Sequence, residues 1–145
     1  MTQQIQISRY VPNISSQSDV AALLAESVGN PTTRILEELM ESCTQDDFPA
    51  LWIASYSGTA IGVLRLESQD QSHCTITHVA VRQSFKGQGI GRKLVEFIHD
   101  DLNFGHAEAE TDDDSVGFYK SCGFKVEESG ENGYGTKRYK CVVRF

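Results

Sequence analysis

One glycine-punctuated junction constrains this chain more than any other stretch. Lys86-Gly87-Gln88-Gly89-Ile90-Gly91 follows an apolar, β-rich run over residues 74–81 and leads into an amphipathic helical pattern over residues 92–99. A strand that enters a helix through glycines leaves the first N–H groups of that helix without intrahelical partners. The aligned peptide dipoles add roughly half a positive charge at that end. Glycine admits φ > 0 and lets an anion come close to the main chain. Arg82, Lys86, Arg92 and Lys93 surround the junction, with no acidic residue before Glu96, in a chain of net charge −7. The stretch therefore reads as a cradle for a pyrophosphate.

The elements around it follow from periodicity and turn residues. Residues 4–10 predict a strand, then Pro12 and a polar loop. Asp19 is placed to N-cap a helix over 20–27, and Gly29-Asn30-Pro31 breaks it. Thr32 or Thr33 caps a second helix reaching about Ser42, with Ile35, Leu36, Leu39 and Met40 on one face. Runs 50–56 and 60–67 flank Ser57-Gly58-Thr59 as a hairpin. A turn over 69–72 leads to the strand ending at Val81, which completes an antiparallel meander. A helix over 89–102, stopped by Gly105, joins this strand to a short one at 106–111, and such a unit predicts a right-handed parallel crossover. Asp112, Asp113 and Asp114 open a short helix carrying Val116, Phe118, Tyr119 and Cys122, stopped by Gly123. Strands 124–128 and 136–145, joined by a Gly-rich polar loop, end the chain. The sum is about seven strands and four helices in one mixed sheet, an α/β (α+β) fold. A length of 145 residues implies a single domain over 1–145.

Composition narrows the function. The acidic balance argues against a nucleic-acid binder, which would carry an extended basic face. The longest strictly apolar run, residues 20–25, is far too short to span a membrane, and no leader pattern opens the chain. Cys43, Cys74, Cys122 and Cys141 show neither CxxC spacing nor a neighbouring His at ligand spacing, so reduced thiols, no metal and a cytoplasmic location are expected. Two phosphate-binding readings of the glycine run fail. A Walker A loop or a GxGxxG fingerprint beginning at Gly87 needs glycine at position 92, where Arg92 stands.

The run does resemble the signature of the GCN5-related N-acetyltransferase family: Arg or Gln, two residues, Gly, one residue, Gly or Ala. Lys86 replaces the first residue and keeps its charge. A second segment, Asp112-Asp-Asp-Ser115-Val-Gly-Phe118-Tyr119-Lys-Ser-Cys-Gly123-Phe124, is similar to the family's Asn-x-x-Ala-x-x-Phe-Tyr-x-x-x-Gly-Phe. Asp112 stands for Asn and Ser115 for Ala. The resemblance covers residues 75–124 firmly. It implies an acyl-CoA N-acyltransferase-like fold, splayed between two strands where the pantetheine arm enters. It also implies acetyl-CoA as cosubstrate, a small-molecule or peptide amine as acceptor, and a homodimer as one expected state. The residues it places at the cofactor are Val79, Ala80, Val81, Lys86, Gly87, Gln88, Gly89, Ile90, Gly91, Arg92, Asp112, Phe118 and Tyr119.

Acetyl transfer from a thioester to an amine sets two proton problems. A lysine-like amine, pKa about 10.4, must lose a proton to attack, and a departing thiolate, near 8.5 if it behaves like cysteine, leaves better when protonated. Between the two lies an oxyanion that needs donors. Tyr119, a phenol of pKa near 10, is the candidate acid, and the resemblance points to the same residue. Backbone N–H groups at Val79 or Val81 are the candidate oxyanion donors. Family members often place Glu or His at the positions held here by Thr75 and Thr77, and threonine cannot act as base. His78 is the candidate base. It falls on the opposite face by simple alternation, and a bulge near the strand's end would re-aim it. His73 shares parity with Thr75 but sits far back. Asp112 reads as a helix cap as well as a cofactor contact. A noncatalytic acyl-CoA-binding module is the alternative from another class.

Overall fold

The computed structural model describes residues 4–11, 17–26, 32–43, 47–68, 70–131 and 135–145. The predicted break at Gly29-Asn30-Pro31, the loop after Val11 and residues 132–134 of the last predicted loop lie outside them.

The strands are β1 (Gln6–Arg9), β2 (Ala50–Tyr56), β3 (Thr59–Glu67), β4 (His73–Val81), β5 (His106–Thr111), β6 (Lys125–Glu131) and β7 (Lys137–Arg144). The helices are α1 (Gln17–Ala25), α2 (Thr33–Glu41), α3 (Ile90–Asp100) and α4 (Val116–Ser121), with a 3-10 turn at Gln83–Phe85. One sheet of seven strands runs β1-β2-β3-β4-β5-β7-β6. The meander β2-β3-β4 is antiparallel, as its turns predict, and Ser57 and Gly58, both at positive φ, make the first turn. The β4–α3–β5 unit brings β4 and β5 parallel.

Two local endings differ from the sequence expectation, at Asp19 and at Gly105, and a third decides between the two threonines offered as the cap of α2. Asp19 sits in the first turn of α1, because the helix begins at Gln17, and so serves the macrodipole and not as the cap. Thr32 caps α2, its side chain accepting from the Ile35 N–H at 3.1 Å. Asn103, at φ +62, supplies the left-handed residue after α3, ahead of Gly105.

Two apolar clusters lie against the sheet. α3 and α4 contribute Leu94, Ile98 and Tyr119 to one, with Trp52, Leu64, Ile76 and Ala109 of the strands. α1 and α2 contribute Val20, Leu24 and Met40 to the other, with Leu51, Ile53 and Val63. On α2 only Met40 of the predicted stripe is buried, and Ile35 remains 37% exposed.

Candidate active site

The site begins where a strand pair stops. β4 and β5 are in register at only three positions, His73↔His106, Cys74↔Ala107 and Thr75↔Glu108. Beyond Thr75 the two strands separate, and a cleft of about 780 Å³ opens between them. Its borders are the end of β4, the glycine loop, the first turn of α3, the end of β5 and α4. His78, Val79, Ala80, Val81, Lys86, Gly87, Gly89, Ile90, Gly91, Arg92, Asp112, Phe118 and Tyr119 all border it. Of the residues the sequence nominated, only Gln88 does not; it is exposed on the loop.

At the mouth of the cleft, Gly89 is the N-cap of α3 with φ +80, and Gly87 has φ +81. Those left-handed angles turn the chain from β4 into the helix without a Cβ penalty. No backbone carbonyl of a described residue accepts from the N–H groups of Ile90, Gly91 or Arg92. Gly91 has a second reason to be glycine: a Cβ there would stand 2.5 Å from Phe118 Cε1. The contact seats α4 directly against the start of α3. Arg92 reinforces the seat by donating from Nη2 to the Ser121 carbonyl. These unpaired N–H groups, with Lys86 and Arg92 beside them, fit a pyrophosphate.

The inner edge of β4 carries more free donors. Arg82 N–H donates to Ile61 O at 2.7 Å, toward β3. In an antiparallel ladder such bonds alternate along the strand, so Val79 and Val81 direct their N–H groups to the open side.

Tyr119 is 5% exposed and packs edge-on against Phe118 and Phe124. Burial pushes its phenol well above the usual tyrosine value, and Cys141 and Cys122 add to the effect. A phenol held neutral in this way is a proton donor across the ordinary pH range.

The re-aiming bulge is present. Arg65 pairs with His78 and Leu66 with Ile76, which leaves Thr77 as the extra residue in β4. Before it, Cys74 and Ile76 face the α3 cluster; after it, Val79 and Val81 do so and Ala80 faces the α1 cluster. His78 is thereby turned off the α3 face, and its ring lies half-buried at the cleft. Burial, then the Arg65 charge, hold its pKa below the usual histidine value, with Glu67 opposing them. The ring is neutral at pH 7 and able to accept a proton.

Asp112 caps the turn before α4. Its Oδ1 accepts from Asp114 N–H at 3.1 Å and its carbonyl from Val116 N–H at 3.0 Å. Glu110 and Arg138 border the cleft, whereas Glu108 is tied to His73 and Lys140 at 3.6 and 3.5 Å. Among the described residues no cluster of three or more His, Cys, Asp or Glu is placed to hold a metal ion. Sequence reasoning missed Arg65, a charged residue buried inside β3. Its signal was visible as the lone charge within the apolar run Ile61-Gly-Val-Leu-Arg-Leu66.

The model of the acetyltransferase (GNAT) family matches residues 18–124. No curated protein matches the sequence. A GNAT family acetyltransferase from Elizabethkingia anophelis, solved with acetyl-CoA bound, is similar with a TM-score of 0.68 at 20% identity, over 97% of this chain and 98% of that one. The ribosomal-protein-S18-alanine N-acetyltransferase from Escherichia coli gives 0.73 at 14%, over 97% and 94%. The spermidine/spermine N-acetyltransferase SpeG from Vibrio cholerae gives 0.72 at 16%, over 97% and 92%. At these identities the likeness is one of fold.

Proposed function

The chain belongs to the acetyltransferase (GNAT) family, and from that premise we propose that it transfers an acetyl group from acetyl-CoA directly to a primary amine of a small molecule or peptide, as a single cytoplasmic domain. The observation that carries this reading is that His78 and Tyr119 border one opening, at whose mouth stand the free N–H groups of α3. Acetyl-CoA supplies the activated acyl group. The N–H groups of residues 90–92 bind its pyrophosphate, aided by the charges of Lys86 and Arg92. Val79 and Val81 offer backbone donors along β4, where negative charge on the acyl oxygen would otherwise be costly. Tyr119 holds a proton for the departing sulfur. His78 takes one from the acceptor amine. Gly91 and Phe118 keep α4, and Tyr119 with it, against the cradle.

The relatives' names differ in acceptor: one acts on the alanine of a ribosomal protein, another on polyamines. Glu110 and Arg138, of opposite charge, both border the cleft and give no single charge preference for the acceptor. The test is thiol release from acetyl-CoA in the presence of a panel of small-molecule and peptide amines. Release that depends on one amine class supports the reading. Tight acetyl-CoA binding with no amine-dependent release across the panel counts against transfer and favours a binding module.

A further inference from the structure

The bulge at Thr77 gathers side chains that the acid and base roles leave unexplained. Arg65 lies on β3 opposite His78, its side chain 6% exposed. A guanidinium keeps its charge even when buried, so it needs partners. Nη1 donates to Thr77 Oγ1 at 2.9 Å and to Glu67 Oε1 at 3.2 Å. Nη2 donates to Ser42 Oγ at 3.0 Å, and Ser42, the C-cap of α2, donates to Leu39 O at 2.8 Å. Nε is buried with no partner among the described residues.

Thr77 Oγ1 has one proton and two lone pairs. The proton goes to the Arg65 carbonyl at 3.1 Å. One lone pair receives Arg65 Nη1. The remaining lone pair faces His78 Nδ1 at 3.0 Å. With the hydroxyl proton committed, that contact is a hydrogen bond only if Nδ1 carries the hydrogen. The lone pair of the neutral ring then lies on Nε2.

We infer that Arg65 and Thr77 are positioning residues for His78, holding the neutral imidazole as the Nδ1–H tautomer so that Nε2 is the atom that accepts the acceptor's proton. The inference rests on the base role proposed above. An N–H bond of the acceptor ammonium breaks, its electron pair stays on the amine nitrogen, and the proton bonds to Nε2. The imidazolium then returns that proton to water. The charged groups nearest the ring agree with a neutral resting state: Arg65 opposes its protonation and Glu67 favours it more weakly. Glu26, Glu110 and Arg138 border the same cleft.

The experiment is nitrogen-15 NMR of the His78 ring in the full chain, alongside steady-state kinetics, for the wild type, Thr77→Val and Thr77→Ser. The wild type is expected to show Nδ1 protonated and Nε2 bare near neutral pH, and Thr77→Ser to retain that pattern and the rate. Thr77→Val keeps the shape but removes the acceptor. The ring is then expected to move toward Nε2–H, and kcat to fall roughly tenfold or more, with KM for acetyl-CoA unchanged. A wild-type ring protonated at Nε2, or tautomers unmoved in Thr77→Val, overturns the positioning inference. His78→Gln separates the two ideas. A wild-type rate and pH profile in that variant, with the expected spectra, sinks the base role; a lost rate with contrary spectra sinks only the positioning.

Discussion

Tyr119 and His78 are shifted in opposite directions by the same cause. Burial disfavours the charged form of each, so the phenol's pKa rises and the imidazole's falls. At neutral pH both side chains are neutral, the pairing that the proposed acid and base roles call for. For activity the signs follow directly. The acid limb of kcat/KM, set by protonation of His78, is expected below the usual histidine value of about 6.5, and His78→Gln is expected to abolish that limb. No alkaline loss from Tyr119 is expected below about pH 10, since its pKa lies above the ordinary one. Tyr119→Phe keeps the aromatic packing and removes only the proton. It is expected to lower kcat about a hundredfold while calorimetry shows coenzyme affinity little changed; an unchanged kcat would reassign the acid. The place of Tyr119 at the cleft was legible from its position ahead of Gly123-Phe124. The tautomer inferred for His78 was not, because that inference depends on Arg65, thirteen positions earlier in sequence and on another strand.

The junction of α3 with α4 is where the glycine signature acquires its packing meaning. From sequence, Gly89 and Gly91 look alike. In the structure Gly89 is required by its φ of +80, and Gly91 by the ring of Phe118, 2.5 Å from where its Cβ would stand. Gly91→Ala is therefore expected to destabilise the protein by about 1–3 kcal/mol, seen as a lowered Tm, and to weaken coenzyme binding by pushing α4 away. Adding Phe118→Leu makes room and is expected to restore part of the stability, a coupling that a double-mutant cycle measures. Additive losses would mean that the ring is not the obstacle. The element order, from the meander to the closing hairpin, was legible because hydrophobic period and turn glycines report local structure. The bulge was foreseen only as a condition for using His78: the apolar parity changes between Ile76 and Val79, but which residue is the extra one shows only against the partner strand. The stripe on α2 is covered in part, with Met40 buried, Leu36 packed against the second cluster and Ile35 exposed, since periodicity tells which residues share a face but not how far that face is covered.

Across the whole molecule, the four cysteines report the two clusters and the cleft independently. All four are free; Cys74 and Cys141 are buried, Cys43 and Cys122 half-buried. Burial pushes the Cys74 thiol up to about 12 and raises Cys122 and Cys141 as well. Alkylation of the native protein followed by peptide mass spectrometry is expected to modify Cys43 and Cys122 first, with Cys74 and Cys141 reacting only after global unfolding. Acetyl-CoA is expected to shield Cys122, which borders the cleft, and to leave Cys43 as it was. Labelling of Cys74 as fast as Cys122 would contradict the packing of the sheet against α3. No described helix is long and apolar enough to cross a membrane. The three-position register between β4 and β5 has a mechanical meaning too. Among the described residues that short parallel seam is the only ladder between β1-β2-β3-β4 and β5-β7-β6, each of which is antiparallel within itself. A visitor whose amides lie at peptide spacing can knit the missing rungs above it, so that filling the opening and stiffening the sheet become one event.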